Sequence, residues 1–323
     1  MANISRTAVF WVCFSFLLMS MVACEAKHTR PPTVDPADTV QVEAGGLSVE
    51  APAETETVEL RNDPVAQEFL ARLQDAMRPV RDTLRLEFDR IRQLTGAGPR
   101  DSAILDLRSR WGRVQEVPLQ ELLDQSAFTS RMWIDSLKRA DTAFERQVRQ
   151  ILGSGGKYLE YNEGFSSEAD LGARADLVDS VASPALAERF RMEHLESFTG
   201  VYNDAGIIAP LDTLVGRIQG WEAFARRYAG TPSAAWAESV RKGYLYSLLC
   251  GATNTSAFDN GVPGEEFVRA WKRLAAGPDG ASRSLVREWL RILDAENGRL
   301  TPKARKWLGE RGFDPVDMTS EEA

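Results

Sequence analysis

Apolar residues recur every three or four positions along most of this chain, and the pattern is restarted at intervals by a small polar residue followed by proline. Asn62-Asp63-Pro64, Ser183-Pro184, Thr231-Pro232 and Thr301-Pro302 each set a side-chain acceptor at a helix N-cap and a proline at the first helical position, where its missing N–H costs nothing. After Pro64 the residues Val65, Phe69, Leu73, Met77, Val80, Leu84, Phe88 and Ile91 keep the helical step, with Pro79 a predicted kink. Trp133, Leu137, Ala140, Phe144, Val148 and Leu152 repeat it, as do Leu211, Leu214, Ile218, Trp221, Phe224 and Tyr228, then Trp236, Val240, Tyr244 and Leu248. Runs over 265–276, 285–296 and 302–311 each close on a glycine, at Gly277, Gly298 and Gly312, as helix C-termini commonly do. No sustained alternation of period two appears. The spacing therefore predicts an all-α body of roughly nine to eleven helices, arranged as a multi-helix bundle or an irregular α-solenoid-like array.

That body does not begin at the first residue. Between Glu25 and Leu60 there are eight acids against Lys27 and Arg30, four prolines, and no Phe, Trp or Tyr. Such a segment has too little apolar surface to offset the entropy of ordering and reads as a disordered acidic tether, spanning roughly 30 Å as a flexible coil. The chain carries a formal charge of −8, and most of that acidity lies in the tether. From Arg61 onward the charge is near balance, so neither part has the excess of lysine and arginine that phosphate backbones require, and no nucleic-acid partner is expected.

Ahead of the tether, Arg6 precedes an uncharged apolar and small-residue run from Thr7 to Ala23, short for a membrane span and suited to a secretory signal. The run ends in Met21-Val22-Ala23-Cys24, which resembles the lipobox of bacterial lipoproteins, with methionine where that family most often has leucine. The resemblance implies cleavage before Cys24, a lipid on its sulfur, and a body held at the bacterial membrane. Glu25 is not the aspartate that signals inner-membrane retention in enteric-type sorting, which favours the outer membrane. With Cys13 in the signal and Cys24 lipidated, Cys250 has no intramolecular partner and reads as a small buried hydrophobe. The expected organisation is a signal peptide over 1–23, a lipidated disordered linker over 24–61, an N-terminal helical region over 62–153, a glycine-rich junction over 154–168 and a C-terminal helical domain over 169–323.

Motifs that carry chemistry are scarce. Gly153-Ser154-Gly155-Gly156 lacks the lysine and hydroxyl spacing of a phosphate-binding loop. Glu160, Asn162, Glu163, Glu168 and Asp170 gather oxygen ligands without the spacing of a helical calcium loop, and Asn254, Thr255, Asp259 and Asn260 before Gly261 read as turn residues that cap backbone. His194 is the one histidine of the body, in the helical stretch Arg191 to Glu196, with Leu195 expected to face inward. No metal, cofactor or catalytic residue is assigned. Trp221, Trp236, Trp271, Trp289 and Trp307 fall on apolar positions of successive helices, where core residues belong.

Two further resemblances bear on function. Glu196-Ser197-Phe198 is similar to the glutamate-serine pair of lytic transglycosylases, which would make Glu196 a general acid on peptidoglycan, although the downstream Gly-Leu-Met-Gln segment of that family is missing. The stretch from Trp221 to Ala237 resembles the join between helices in tetratricopeptide-type outer-membrane lipoproteins, without a regular 34-residue period around it. That likeness implies a helical scaffold gripping a peptide or protein partner in a groove. The expectation is a membrane-anchored protein-binding or scaffold module of the cell envelope, with a carboxylate hydrolase using Glu196 as the alternative.

Overall fold

The computed structural model describes residues 64–124, 142–153, 160–161, 165–166 and 170–315. Among them are ten α-helices and four antiparallel pairs of two-residue strands, an all-α architecture with short hairpins set between helices. Cys24 and the tether lie outside the described residues, as do Trp133, Leu137, Asn162, Glu163 and Glu168. No helix among the described residues is long and apolar enough to cross a membrane.

The first long helix, α1 (Pro64–Arg92), buries Phe69, Leu73, Met77, Val80, Leu84, Phe88 and Ile91 along one stripe, as the spacing predicts. It runs through Pro79 as one continuous helix. Gly96, at φ 89°, turns the chain into α2 (Ala97–Asp124). Arg100 then donates from Nε to Leu94 O at 2.8 Å and from Nη2 to Arg92 O at 3.2 Å, covering carbonyls that the end of α1 leaves open. Ile104, Leu107 and Trp111 of α2 close over α1, joined by Val148 and Leu152 of α3 (Thr142–Leu152).

Beyond the hairpin β1 (Glu160–Tyr161) and β2 (Phe165–Ser166), a 3-10 turn over Leu171–Arg174 leads into the single-turn α4 (Ala175–Val178) and then α5 (Pro184–Ser197). The first apolar cluster continues across this stretch, taking in Leu171, Val178, Val181, Leu186 and Phe190.

The remaining helices form two hairpins and a closing helix. α6 (Leu211–Arg227) packs along α7 (Pro232–Cys250), and α8 (Glu265–Ala276) along α9 (Ala281–Ala295), with α10 (Pro302–Gly309) at the end. Three of the four predicted proline starts hold, while the Asn62-Asp63 cap lies outside the described residues: Ser183, Thr231 and Thr301 accept from the backbone N–H of Leu186, Ala234 and Ala304 at 3.2, 3.1 and 3.3 Å. Between the helices sit β3 (Tyr202–Asn203) with β4 (Gly206–Ile207), β5 (Gly251–Ala252) with β6 (Thr255–Ser256), and β7 (Phe258–Asp259) with β8 (Val262–Pro263).

A second core is built around aromatic rings. Trp271 and Trp289 meet edge to face at 5.8 Å between centroids, Phe258 abuts both, and the half-buried Trp307 stacks on Trp289 at 5.8 Å. The Trp271 indole donates to Leu248 O at 2.7 Å, which satisfies its buried N–H. Trp221 forms a third, smaller cluster with Phe224, Ala225 and Ala237 and is fully buried, whereas Trp236 is half-buried beneath Arg189. The expectation that these tryptophans sit on core positions is met by Trp221, Trp271 and Trp289 in full and by Trp236 and Trp307 in part.

Candidate functional site

Glu196 is the carboxylate singled out by the sequence, and its surroundings are specific. It sits in the last turn of α5 and turns inward, while Leu195 beside it is 69% exposed, the reverse of the expected orientation of that leucine. Trp221 donates from Nε1 to Glu196 Oε1 at 2.8 Å, and Tyr244 donates from its hydroxyl to Oε2 at 2.8 Å. Arg217 completes the group. Its Nε lies 3.8 Å from Oε1, Nη1 donates to the Tyr244 hydroxyl at 3.0 Å, and Nη2 reaches Glu196 O and Thr199 O at 2.9 and 2.6 Å. Burial pushes the Glu196 carboxyl above the ordinary carboxylate range, opposed by Arg217 and by the two side-chain donors. The Tyr244 hydroxyl is likewise pushed up, first by burial and then by the negative charge of Glu196.

The chemical consequence follows from occupancy. A general acid must present a proton to a substrate oxygen, and both oxygens here already receive hydrogen bonds from the core side. The arrangement ties the end of α5 to α6 and α7. Leu195 faces outward for the same reason: adjacent helical residues cannot share a face, and the four-residue network holds Glu196 inside.

His194 is satisfied in a similar way. Its Nδ1 lies 2.6 Å from Asp170 Oδ2, while Asp170 Oδ1 accepts the N–H of Gly172 at 2.8 Å and caps the 3-10 turn. The pair holds α5 against that turn. The backbone is close enough that a Cβ on Gly172 would stand 2.3 Å from Phe190 O.

The oxygen-rich stretch around 254–261 does turn chemistry, and it serves a neighbour as well as itself. Asp204 and Ala205 form the β3–β4 turn at φ 45° and 54°, a conformation unfavourable to side chains. Asn254 donates its backbone N–H to Ala205 O at 3.1 Å and its side-chain amide to Asp204 O, while Thr255 Oγ1 accepts from Ile207 N at 2.9 Å. Asn260 bonds Asp259 Oδ1 at 2.9 Å within the β7–β8 turn. No cluster of three or more histidine, cysteine, aspartate or glutamate side chains suited to a metal occurs among the described residues. Cys250 is fully buried, and burial pushes its thiol up to about 12.

A surface with room lies elsewhere among the described residues. A groove of about 530 Å³ is bounded by α6, α7 and the start of α9. Glu222, Ala225 and Arg226 of α6, with Ala229 in the turn after it, form one wall, Ala234, Ala235 and Glu238 the other, and Gly280 and Ala281 close the end. Two of these residues, Ala225 and Ala234, are buried and make the floor. The α6 and α7 walls fall within or beside the stretch 221–237 that resembles the tetratricopeptide-type join, whose run of small residues is the one visible signal. The α9 wall could not be anticipated, because nothing local to Gly280 indicates where its helix will dock. No family model matches the chain, and neither a curated protein nor a solved structure is similar to it at a significant level.

Proposed function

We propose that the chain is a lipid-anchored helical binding module of the bacterial cell envelope, held through Cys24 to the membrane, with the outer membrane favoured. Its acidic tether gives the body reach, and the groove between α6, α7 and α9 is the surface that grips a peptide or protein partner. The observation that carries the reading is the composition of that groove: alanine and glycine let a partner backbone approach closely, and charged groups stand at its edges. The alternative, a wall hydrolase acting through Glu196, draws no support from a carboxylate whose two oxygens are bonded to Trp221 and Tyr244.

Two measurements test the proposal. Cys24→Ser should move the protein from the membrane to the soluble fraction, and unchanged partition would refute the anchor. Cross-linking in intact envelopes should yield a discrete adduct that disappears when Ala235→Trp fills the groove. An adduct that survives this change would place the contact surface elsewhere.

A further inference from the structure

The two carboxylates of the groove are held by one buried network. Glu222 Oε1 accepts the backbone N–H of Ser282 at 3.1 Å, capping the first turn of α9 from a neighbouring helix. The carboxylate lies against Gly280, where a Cβ would stand 2.6 Å from it. Ser282 is fully buried, and its Oγ accepts from Arg241 Nη1 at 2.7 Å. Arg241, 7% exposed, then turns Nε and Nη2 onto Glu238 Oε2 at 3.0 and 2.7 Å. Glu222, Ser282, Arg241 and Glu238 thus form a chain in which one oxygen of each carboxylate is fixed from the protein side. Oε2 of Glu222 and Oε1 of Glu238 take no hydrogen bond within that chain, and both residues line the groove.

From this arrangement we infer that the groove recognises an extended peptide that presents a lysine or arginine side chain. The inference rests on the groove being the contact surface. Acceptors already oriented by a buried network lose little entropy when a cationic donor arrives, which is the condition for selective recognition. The alanine floor accommodates the aliphatic stem of such a side chain, since lysine and arginine bury their methylenes readily. Arg226, on the same wall as Glu222, donates from Nη1 to Asp279 O at 3.0 Å and places a positive charge where a peptide carbonyl can accept. One cation at the carboxylates, with carbonyls toward Arg226, therefore fits better than a run of cations.

The test uses the full chain and two fluorescein-labelled pentapeptides, Ala-Ala-Lys-Ala-Ala and the same sequence with norleucine for lysine, followed by fluorescence anisotropy. The lysine peptide should bind at least tenfold more tightly. Glu222→Gln with Glu238→Gln should remove that preference while circular dichroism stays unchanged, since each amide oxygen can still accept from Ser282 or Arg241. Ala235→Trp should abolish binding of both peptides. Equal affinity for the two peptides would overturn cation recognition and leave the groove as a contact surface. Absence of binding by either peptide, or binding indifferent to Ala235→Trp, would overturn the groove itself.

Discussion

The indole N–H of Trp221 donates to Glu196 Oε1 at 2.8 Å, joining a fully buried ring on α6 to a carboxylate in the last turn of α5. Removing the acceptor would strand that donor together with the Tyr244 hydroxyl. Glu196→Ala should therefore cost about 2–4 kcal/mol, summing the usual penalty for buried groups left unpaired. Chemical denaturation checks the value, and a loss under about 0.5 kcal/mol would show that water replaces the carboxylate.

Glu196→Gln separates charge from hydrogen bonding. Because burial raises the folded-state affinity of this carboxyl for its proton, its contribution to stability is fully present below the unfolded carboxyl value and is lost as pH rises through the folded one. The glutamine variant lacks that loss. Its stability relative to the parent should rise from about pH 4 to about pH 7 in urea melts, and a gap that stays constant or narrows would contradict the assignment.

Glu193 receives Arg189 Nε at 2.7 Å and Arg108 Nη1 at 2.6 Å, and the Arg189 guanidinium lies 3.7 Å above the Trp236 ring. Burial lowers the pKa of Arg189 despite Glu193. Glu193→Ala leaves the 6%-exposed Arg189 without its counter-charge and should cost about 3–5 kcal/mol, far more than loss of an exposed pair such as Arg72–Glu68. Comparing thermal or urea melts of the two single variants tests that contrast.

Gly251 joins α7 to β5 at φ 82°, where a Cβ would stand 2.4 Å from Thr255 O and 2.5 Å from Ala257 N. Gly251→Ala should cost about 2–4 kcal/mol from backbone strain and overlap. Gly230, at φ 84° with open space within 4 Å of where a Cβ would stand, should lose only about 1 kcal/mol as alanine. Ala205→Gly should go the other way and stabilise by about 0.5–1 kcal/mol, since Ala205 already occupies φ 54°. Urea melts of the three variants check the ranking, and equal effects at the three positions would be inconsistent with this geometry.

Cys250 should resist alkylation. A thiol that is fully buried and pushed up to about 12 has almost no thiolate at about pH 8, so iodoacetamide should modify the Cys250 peptide only after denaturation. Rapid labelling of that peptide in the native protein, followed by mass spectrometry, would contradict the packing.

The helical framework is legible because its signals are local. The run predicted over 265–276 is the helix Glu265–Ala276, and three serine or threonine N-caps stand where proline marks them. The hairpins are not, because a strand of two residues shows no alternation, although Asn260-Gly261 carries a turn signal of its own. Hydrophobicity alone favours burial of Leu195, while the partners that draw Glu196 inside lie 21 to 48 residues further along the chain. The groove is non-local in the same sense, since its end wall is supplied by Gly280 and Ala281.

Helix α5 has an unusual standing among the described helices. Leu186, Ala187 and Phe190 belong to the first apolar cluster, Met192 packs against the Trp221 cluster, and Glu193 and Glu196 bond to partners on either side. It behaves as a party wall. Cutting the chain anywhere in 154–168 would leave one fragment with an uncovered face on α1 and α2, and the other carrying Leu186 and Phe190 into water. Neither piece would keep its solubility alone, and mixing the two should restore a single folded complex.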